Sequence, residues 1–227
     1  MNKTVVMSLG GSLIAPDGID VAFLKQFRQL ILDFTKRGNR AIIICGGGDT
    51  ARNYQAAARK VNPRVSSRDL DWVGIGATKI NAELLSAIFG DAAHESIMSD
   101  PTKKIPTNKR VIVGAGFLPG SSSDKDAVLA AKAYQADTVI NLSNITYVYD
   151  KDPSKFDDAK PQKEMSWQTF RTLVGNTWVP GAHVPFDPIA ARLAAELKLK
   201  LVVMKGSNLA NLKKFLSGKP FVGTRIA

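Results

Sequence analysis

Short apolar runs and helically spaced apolar residues alternate along the chain. Thr4–Leu9 is apolar and rich in β-branched residues, as a buried strand requires. Val21–Lys36 carries Phe23, Leu24, Phe27, Leu30, Ile31 and Phe34 at helical spacing, and Gly38 follows as a stop. Arg40–Cys45 is a second strand-like run, and Asp49 is positioned to cap a helix over 50–61. A longer helical pattern covers 69–89, and a third strand 110–113. Beyond the Gly/Pro/Ser loop 114–123, Asp124 opens an alanine-rich helix to about residue 135. Residues 138–142 read as a strand, 146–149 as the start of a hairpin or turn, 187–197 as a helix, 201–204 as a strand and 209–216 as a last helix. Repeated strand–loop–helix units predict an α/β fold, a three-layer αβα sandwich around a mostly parallel sheet.

Composition narrows the class. Of 227 residues, 44% are hydrophobic and 22% charged, which suits a folded globular protein with a sizeable core. No apolar run approaches the ~18–20 residues of a membrane span. The first residues, Met1-Asn2-Lys3-Thr4, lack signal-peptide architecture. A single cysteine, Cys45, excludes an internal disulfide and reads as a small core residue. A cytoplasmic protein is expected. The net charge of +11 suits polyanions, nucleotides and nucleic acid alike. Its clusters, at Lys103, Lys104, Lys109 and Arg110 and along the tail, carry no interleaved aromatics of the kind that stack bases.

The chemistry is suggested by glycine. Gly10-Gly11-Ser12, Gly46-Gly47-Gly48 and the loop 114–123 each follow a strand and precede a helix. Such turns expose backbone N–H groups at a helix N-terminus, where anions are favoured. Three of them at the carboxyl ends of strands in one sheet lie where open α/β sheets bind ligands. Neither a Walker P-loop nor a Rossmann G-x-G-x-x-G is present. The two histidines, His94 and His183, offer no zinc cluster and receive no role.

Six segments, in order, carry a family resemblance: Leu9-Gly10-Gly11-Ser12; Gly46-Gly47-Gly48-Asp49-Thr50-Ala51-Arg52-Asn53-Tyr54; Asp71 through Ala82 (D-x-x-G-I-x-A-T-x-x-N-A); Gly116 through Asp124; Ser143-Asn144 through Pro153; and Asp187-Pro188-Ile189-Ala190-Ala191. Together they resemble the amino-acid-kinase superfamily and, within it, the archaeal-type UMP kinases. The resemblance implies a homohexamer that moves a phosphoryl group from magnesium-ATP to UMP, with ATP and Mg2+ as cofactors. It implies one domain with an acceptor lobe at about 1–142 and an ATP lobe at 143–227; the loop-rich stretch 150–161 is a candidate seam. On the ATP side it implicates Gly11, Ser12, Gly48, Arg52, Ser143, Asn144, Tyr149 and Asp152. On the UMP side it implicates Gly47 for the phosphate, Asp71 for the ribose, and Phe117, Leu118, Pro119, Gly120, Ser121, Ser122 and Ser123 around base and phosphate. Arg52 and Asp124 are the implied catalytic residues, a guanidinium fork for phosphate oxygens and a carboxylate that organises the centre.

Several positions depart from the family pattern. Ser8 stands where bacterial members carry a lysine. Thr146-Tyr147 replaces an Asp-Gly pair, so the turn is expected to change or to crowd the ATP site. Ser122 and Ser123 replace threonines, and the stretch between His94 and Arg110 is short and basic. These departures keep two alternatives open: a catalytically weakened nucleotide-binding relative with a regulatory or nucleic-acid-associated role, and a superfamily kinase with another acceptor.

Overall fold

The structure, a computed structural model, describes residues 2–153, 155–177 and 184–227. His183 lies outside the described residues.

Seven strands form the central sheet. They are β1 (Thr4–Leu9), β2 (Arg40–Cys45), β3 (Val111–Gly114), β4 (Thr138–Ser143) and β8 (Lys200–Lys205), with the shorter β7 (Glu164–Met165) and β9 (Thr224–Ile226). Their spatial order is β3-β2-β1-β4-β8-β9-β7. The five strands from β3 to β8 are parallel, and β9 runs antiparallel to β8. A separate two-stranded ribbon pairs β5 (Val148–Tyr149) with β6 (Pro161–Gln162) antiparallel, so the expected hairpin at 146–149 exists with a long connection.

Strand alternation divides the core into two layers. Val5, Met7 and Leu9 of β1 face one side with Ala41, Ile43 and Cys45 of β2. Helices α2 (Val21–Lys36), α4 (Ser67–Phe89) and α8 (Leu209–Leu216) cover that side through Phe27, Ile31, Leu85, Phe89 and Leu212. Val6, Ile42 and Ile44 face the other side, covered by α5 (Ser123–Tyr134), α6 (Trp167–Val174) and α7 (Pro188–Glu196). This is the three-layer αβα sandwich expected from the sequence. Cys45 is fully buried, and burial pushes its thiol far above the usual range, as suits an inert core residue.

Helix starts differ from the sequence reading for local reasons. Helix α3 (Gly48–Val61) begins earlier than 50 and is entered through Gly47, so Asp49 is not its cap; it lies in the first turn and pairs with Arg52. Helix α4 begins at Ser67 because Ser66 caps it: Asp69 N–H donates to Ser66 Oγ, which in turn donates to Asp69 Oδ2. Helix α5 is capped by Ser122, which accepts from Lys125 N–H; Asp124 is therefore not the cap. The sequence reading assigns neither the four-residue α1 (Gly11–Ile14) nor α6, although Trp167, Phe170, Leu173 and Val174 of α6 recur at helical spacing; both helices are short, four and eight residues.

Candidate nucleotide site

The parallel strands deliver all three glycine-bearing loops to one edge of the sheet, the carboxyl edge. Strand order reverses between β1 and β4, so a crevice opens where chains leave in opposite directions. The first two loops, after β1 and β2, touch there. A Cβ on Gly11 would stand 2.3 Å from Gly48 N and 2.5 Å from Gly47 C, so only glycine permits the approach. Gly48 adopts φ +60°, the left-handed region, and a Cβ there would strike Gly11 and Ser12. Gly46 N–H donates to Leu9 O, and Gly10 N–H donates to Leu142 O, tying the loops to β1 and β4. The first-turn amides of α3 have no intrahelical acceptor and open toward this junction. Gly11, Ser12, Gly47 and Gly48 are thus brought together.

Arg52 lies one turn into α3. Its side chain is mostly exposed and donates to Asp49 Oδ1 at 2.6 Å. The pair is exposed and worth little as an ion pair, so the guanidinium is easily redirected.

The loop 117–121 after β3 is held differently. Asp71, on α4, accepts from Gly120 N–H at 2.8 Å. Asp126, on α5, accepts from Phe117 N–H at 3.0 Å and from Ser121 Oγ at 2.8 Å. Two further α4 side chains hold the neighbourhood: Thr78 Oγ1 accepts from Gly116 N–H, and buried Asn81 Nδ2 donates to Gly46 O at 2.8 Å. Asp71, Thr78 and Asn81 recur at helical spacing on one face, the face turned to the loops. Thr78, Asn81 and Asp126 carry no role in the sequence reading. Their signal was present: polar residues at positions where the helical pattern calls for apolar ones.

Asp124 sits at the centre of the edge. Alternation turns Ser8 of β1 toward α5, where its hydroxyl donates to Asp124 Oδ1 at 2.8 Å. Asp124 Oδ2 accepts from Asp187 N–H at 3.2 Å. Asp187 caps α7 by accepting from Ile189 and Ala190 N–H, and it also takes the Ser122 hydroxyl. Ser8, Asp124, Asp187 and Ser122 thus form one chain of hydrogen bonds joining β1, α5 and α7. Enclosure of its carboxyl raises the pKa of Asp124 to about 6, against the lowering pull of the Ser8 and Asp187 bonds. Burial likewise raises Asp126 to about 6, opposed by the bonds from Ser121 and Phe117.

The residues implicated on the ATP side after β4 gather more loosely. Ser143 ends β4, and its carbonyl accepts from Gly206 N–H. Asn144 is exposed, and Tyr149 is half-buried in the small ribbon. Asp152 pairs with Lys155 at 3.6 Å. Tyr147 does not need a positive φ, so the turn takes a tyrosine in place of the family's glycine without backbone strain.

Two cavities lie at the opposite edge of the sheet. One of about 550 Å3 is lined by Lys3, Lys200, Lys219 and Arg225, and one of about 630 Å3 by Arg40 and Lys104. Lys109 and Arg110 bond backbone carbonyls of Asp91 and Gly38. Much of the excess positive charge therefore sits away from the glycine loops. Among the described residues, no cluster of three His, Cys, Asp or Glu side chains is arranged to hold a metal, and no helix is long and apolar enough to cross a membrane.

Residues 3–205 match the amino acid kinase family. The chain belongs to that family. It is 34% identical to the uridylate kinase of Thermoplasma volcanium, over 100% of this chain and 98% of that protein. The uridylate kinase of Methanoregula boonei is 32% identical over 94% of this chain and 91% of its own length. The crystal structure of the uridylate kinase from Archaeoglobus fulgidus superimposes with a TM-score of 0.85 at 31% identity, covering 98% of this chain and 99% of that one. The UMP kinase of Bacillus anthracis, at 19% identity and a TM-score of 0.76, shares the fold.

Proposed function

We propose that this protein is a uridylate kinase that transfers the γ-phosphoryl group of ATP to UMP, giving UDP and ADP. The observation that carries the reading is the convergence of the motif segments at one sheet edge in a chain related to uridylate kinases over its full length. A UMP phosphate oxygen bonds to the γ-phosphorus while the bond to the β–γ bridging oxygen breaks and ADP departs. Such a transfer needs positioning and charge neutralisation more than covalent help.

In this reading the backbone at Gly11, Ser12 and Gly48 holds the ATP phosphates, and Arg52 leaves Asp49 to span phosphate oxygens. Ser143, Asn144, Tyr149 and Asp152 line the nucleoside side of ATP. Gly47 meets the UMP phosphate. Asp71 turns from Gly120 to the ribose hydroxyls, while 117–123 enclose base and phosphate. Asp124 organises the centre through Ser8 and Asp187, linking the acceptor lobe (about 1–142) to the ATP lobe (143–227). Magnesium enters with ATP as part of the substrate, held largely by the phosphate oxygens.

Self-association, with a hexamer as the specific proposal, is supported by helix α3, which has no buried residue and exposes Tyr54 and Val61 beside Trp72 and Ile80 of α4. A cytoplasmic location completes the reading.

The test is ADP release by purified protein with magnesium-ATP and a panel of nucleoside monophosphates and other acceptors. Release that depends on UMP is expected. Turnover with a different acceptor, or nucleotide binding without turnover, would replace the proposal with one of the two alternatives.

A further inference from the structure

We propose that Asp126 is the positioning residue of the acceptor loop: one buried carboxylate that fixes both ends of residues 117–121 and so sets the affinity for UMP. This rests on the reading of that loop as the acceptor loop. Asp126 occupies a core position on an alanine-rich helix, between Lys125 and the fully buried Ala127 and Val128. It is itself 0% exposed. A carboxylate at such a place costs desolvation that an alanine or valine would avoid. Among the described residues it enters no salt bridge. Its recorded hydrogen-bond partners are Phe117 N–H and Ser121 Oγ, the two ends of the loop. The turn between them is closed by Ser121 N–H donating to Leu118 O. The charge is thus kept inside the core for the sake of the loop.

The second carboxylate on the loop differs in kind. Asp71 holds Gly120 N–H in an exposed contact, and it is the group offered to the ribose when UMP binds. Once Asp71 turns away, Asp126 remains as the anchor. Asp124 and Asp187 are the like charges near Asp126, and Lys125 the opposite one.

Positioning requires an acceptor facing Phe117 N–H and a hydrogen-bonding group of either kind facing the Ser121 hydroxyl, not a charge. An asparagine keeps this arrangement: its carbonyl accepts from Phe117 N–H, and its NH2 donates to the Ser121 hydroxyl, which can accept. Asp126→Asn should therefore leave the UMP KM within about threefold of wild type, whereas Asp126→Ala should raise it about tenfold or more. In both variants the KM for ATP should stay within about twofold. An unchanged UMP KM in Asp126→Ala, an equal rise for ATP, or an Asp126→Asn variant as impaired as the alanine would each overturn the proposal. Should the alanine variant fail to fold, amide hydrogen exchange on the wild-type protein decides: the Phe117 amide is expected to be protected with and without UMP, and fast exchange there would refute the anchor. Wild-type protein without UMP-dependent turnover sinks the acceptor-loop reading instead, and leaves the Phe117 measurement standing.

Discussion

Two kinds of loop meet at the carboxyl edge of this sheet. The turns at Gly10–Gly11 and Gly46–Gly48 pack closely on one another: a Cβ at Gly11 or Gly48 would collide with backbone, and one at Gly10 or Gly46 would crowd backbone atoms at 3.1 and 3.0 Å. The loop 117–121 touches less: a Cβ on Gly120 would meet nothing within 4 Å, and its shape comes from carboxylates on α4 and α5. The first arrangement is rigid because its contacts are short and made by atoms that cannot rotate away. The second can be released one hydrogen bond at a time. A phosphate common to every ATP suits the former, and an acceptor that must be enclosed and let go suits the latter.

Substitution tests the contrast directly. Gly11→Ala forces backbone apart, so we expect a loss of ~3 kcal/mol or more of stability and no measurable turnover. Urea denaturation and the ADP-release assay read both. A stable, active Gly11→Ala protein would show that the junction is looser than its contacts imply. Arg52→Ala should lower kcat/KM by about a hundredfold or more while leaving the midpoint of urea denaturation in place, because the side chain makes only an exposed pair with Asp49. Near-normal kinetics would remove Arg52 from the site. Asp71→Ala should raise the UMP KM about tenfold with little change for ATP, and an unchanged value would count against its ribose role.

The buried carboxylates add a pH dependence. Enclosure raises the carboxyls of Asp124 and Asp126 to about 6 in the folded chain from the usual 3.8. The folded state therefore binds more protons between those values, and stability falls as pH rises from about 4 to about 6. Each group contributes a decline of up to about 3 kcal/mol across that window. Denaturation midpoints measured at closely spaced pH should show the fall, and Asp126→Asn should flatten part of it; a flat wild-type profile would mean that neither carboxyl is raised. At the small end, Gly120→Ala meets only the strain of φ +76°, about 1–2 kcal/mol, and should change the UMP KM by less than about threefold.

Much of this protein could be read without its structure, and the reason is local. The alternation of apolar runs was enough for a parallel sheet covered on both faces, because strand and helix periods are written into neighbouring residues. The glycine turns were legible because their conformations exclude other side chains. What the sequence could not show depends on partners far along the chain. Ser8 reads as a missing lysine until alternation in β1 brings it to Asp124, 116 residues away. Asp124 reads as a helix cap until Ser122 takes that place. Asp126, Thr78 and Asn81 read as irregularities in amphipathic patterns until the loops they hold are seen beside them. The strands β9 and β7, three and two residues long, exist only because β8 gives β9 an edge to pair with and β9 in turn gives one to β7. Local periodicity thus determined the layers and the glycine turns, and long-range hydrogen bonds, which tertiary packing alone can form, decided how the nucleotide edge is held.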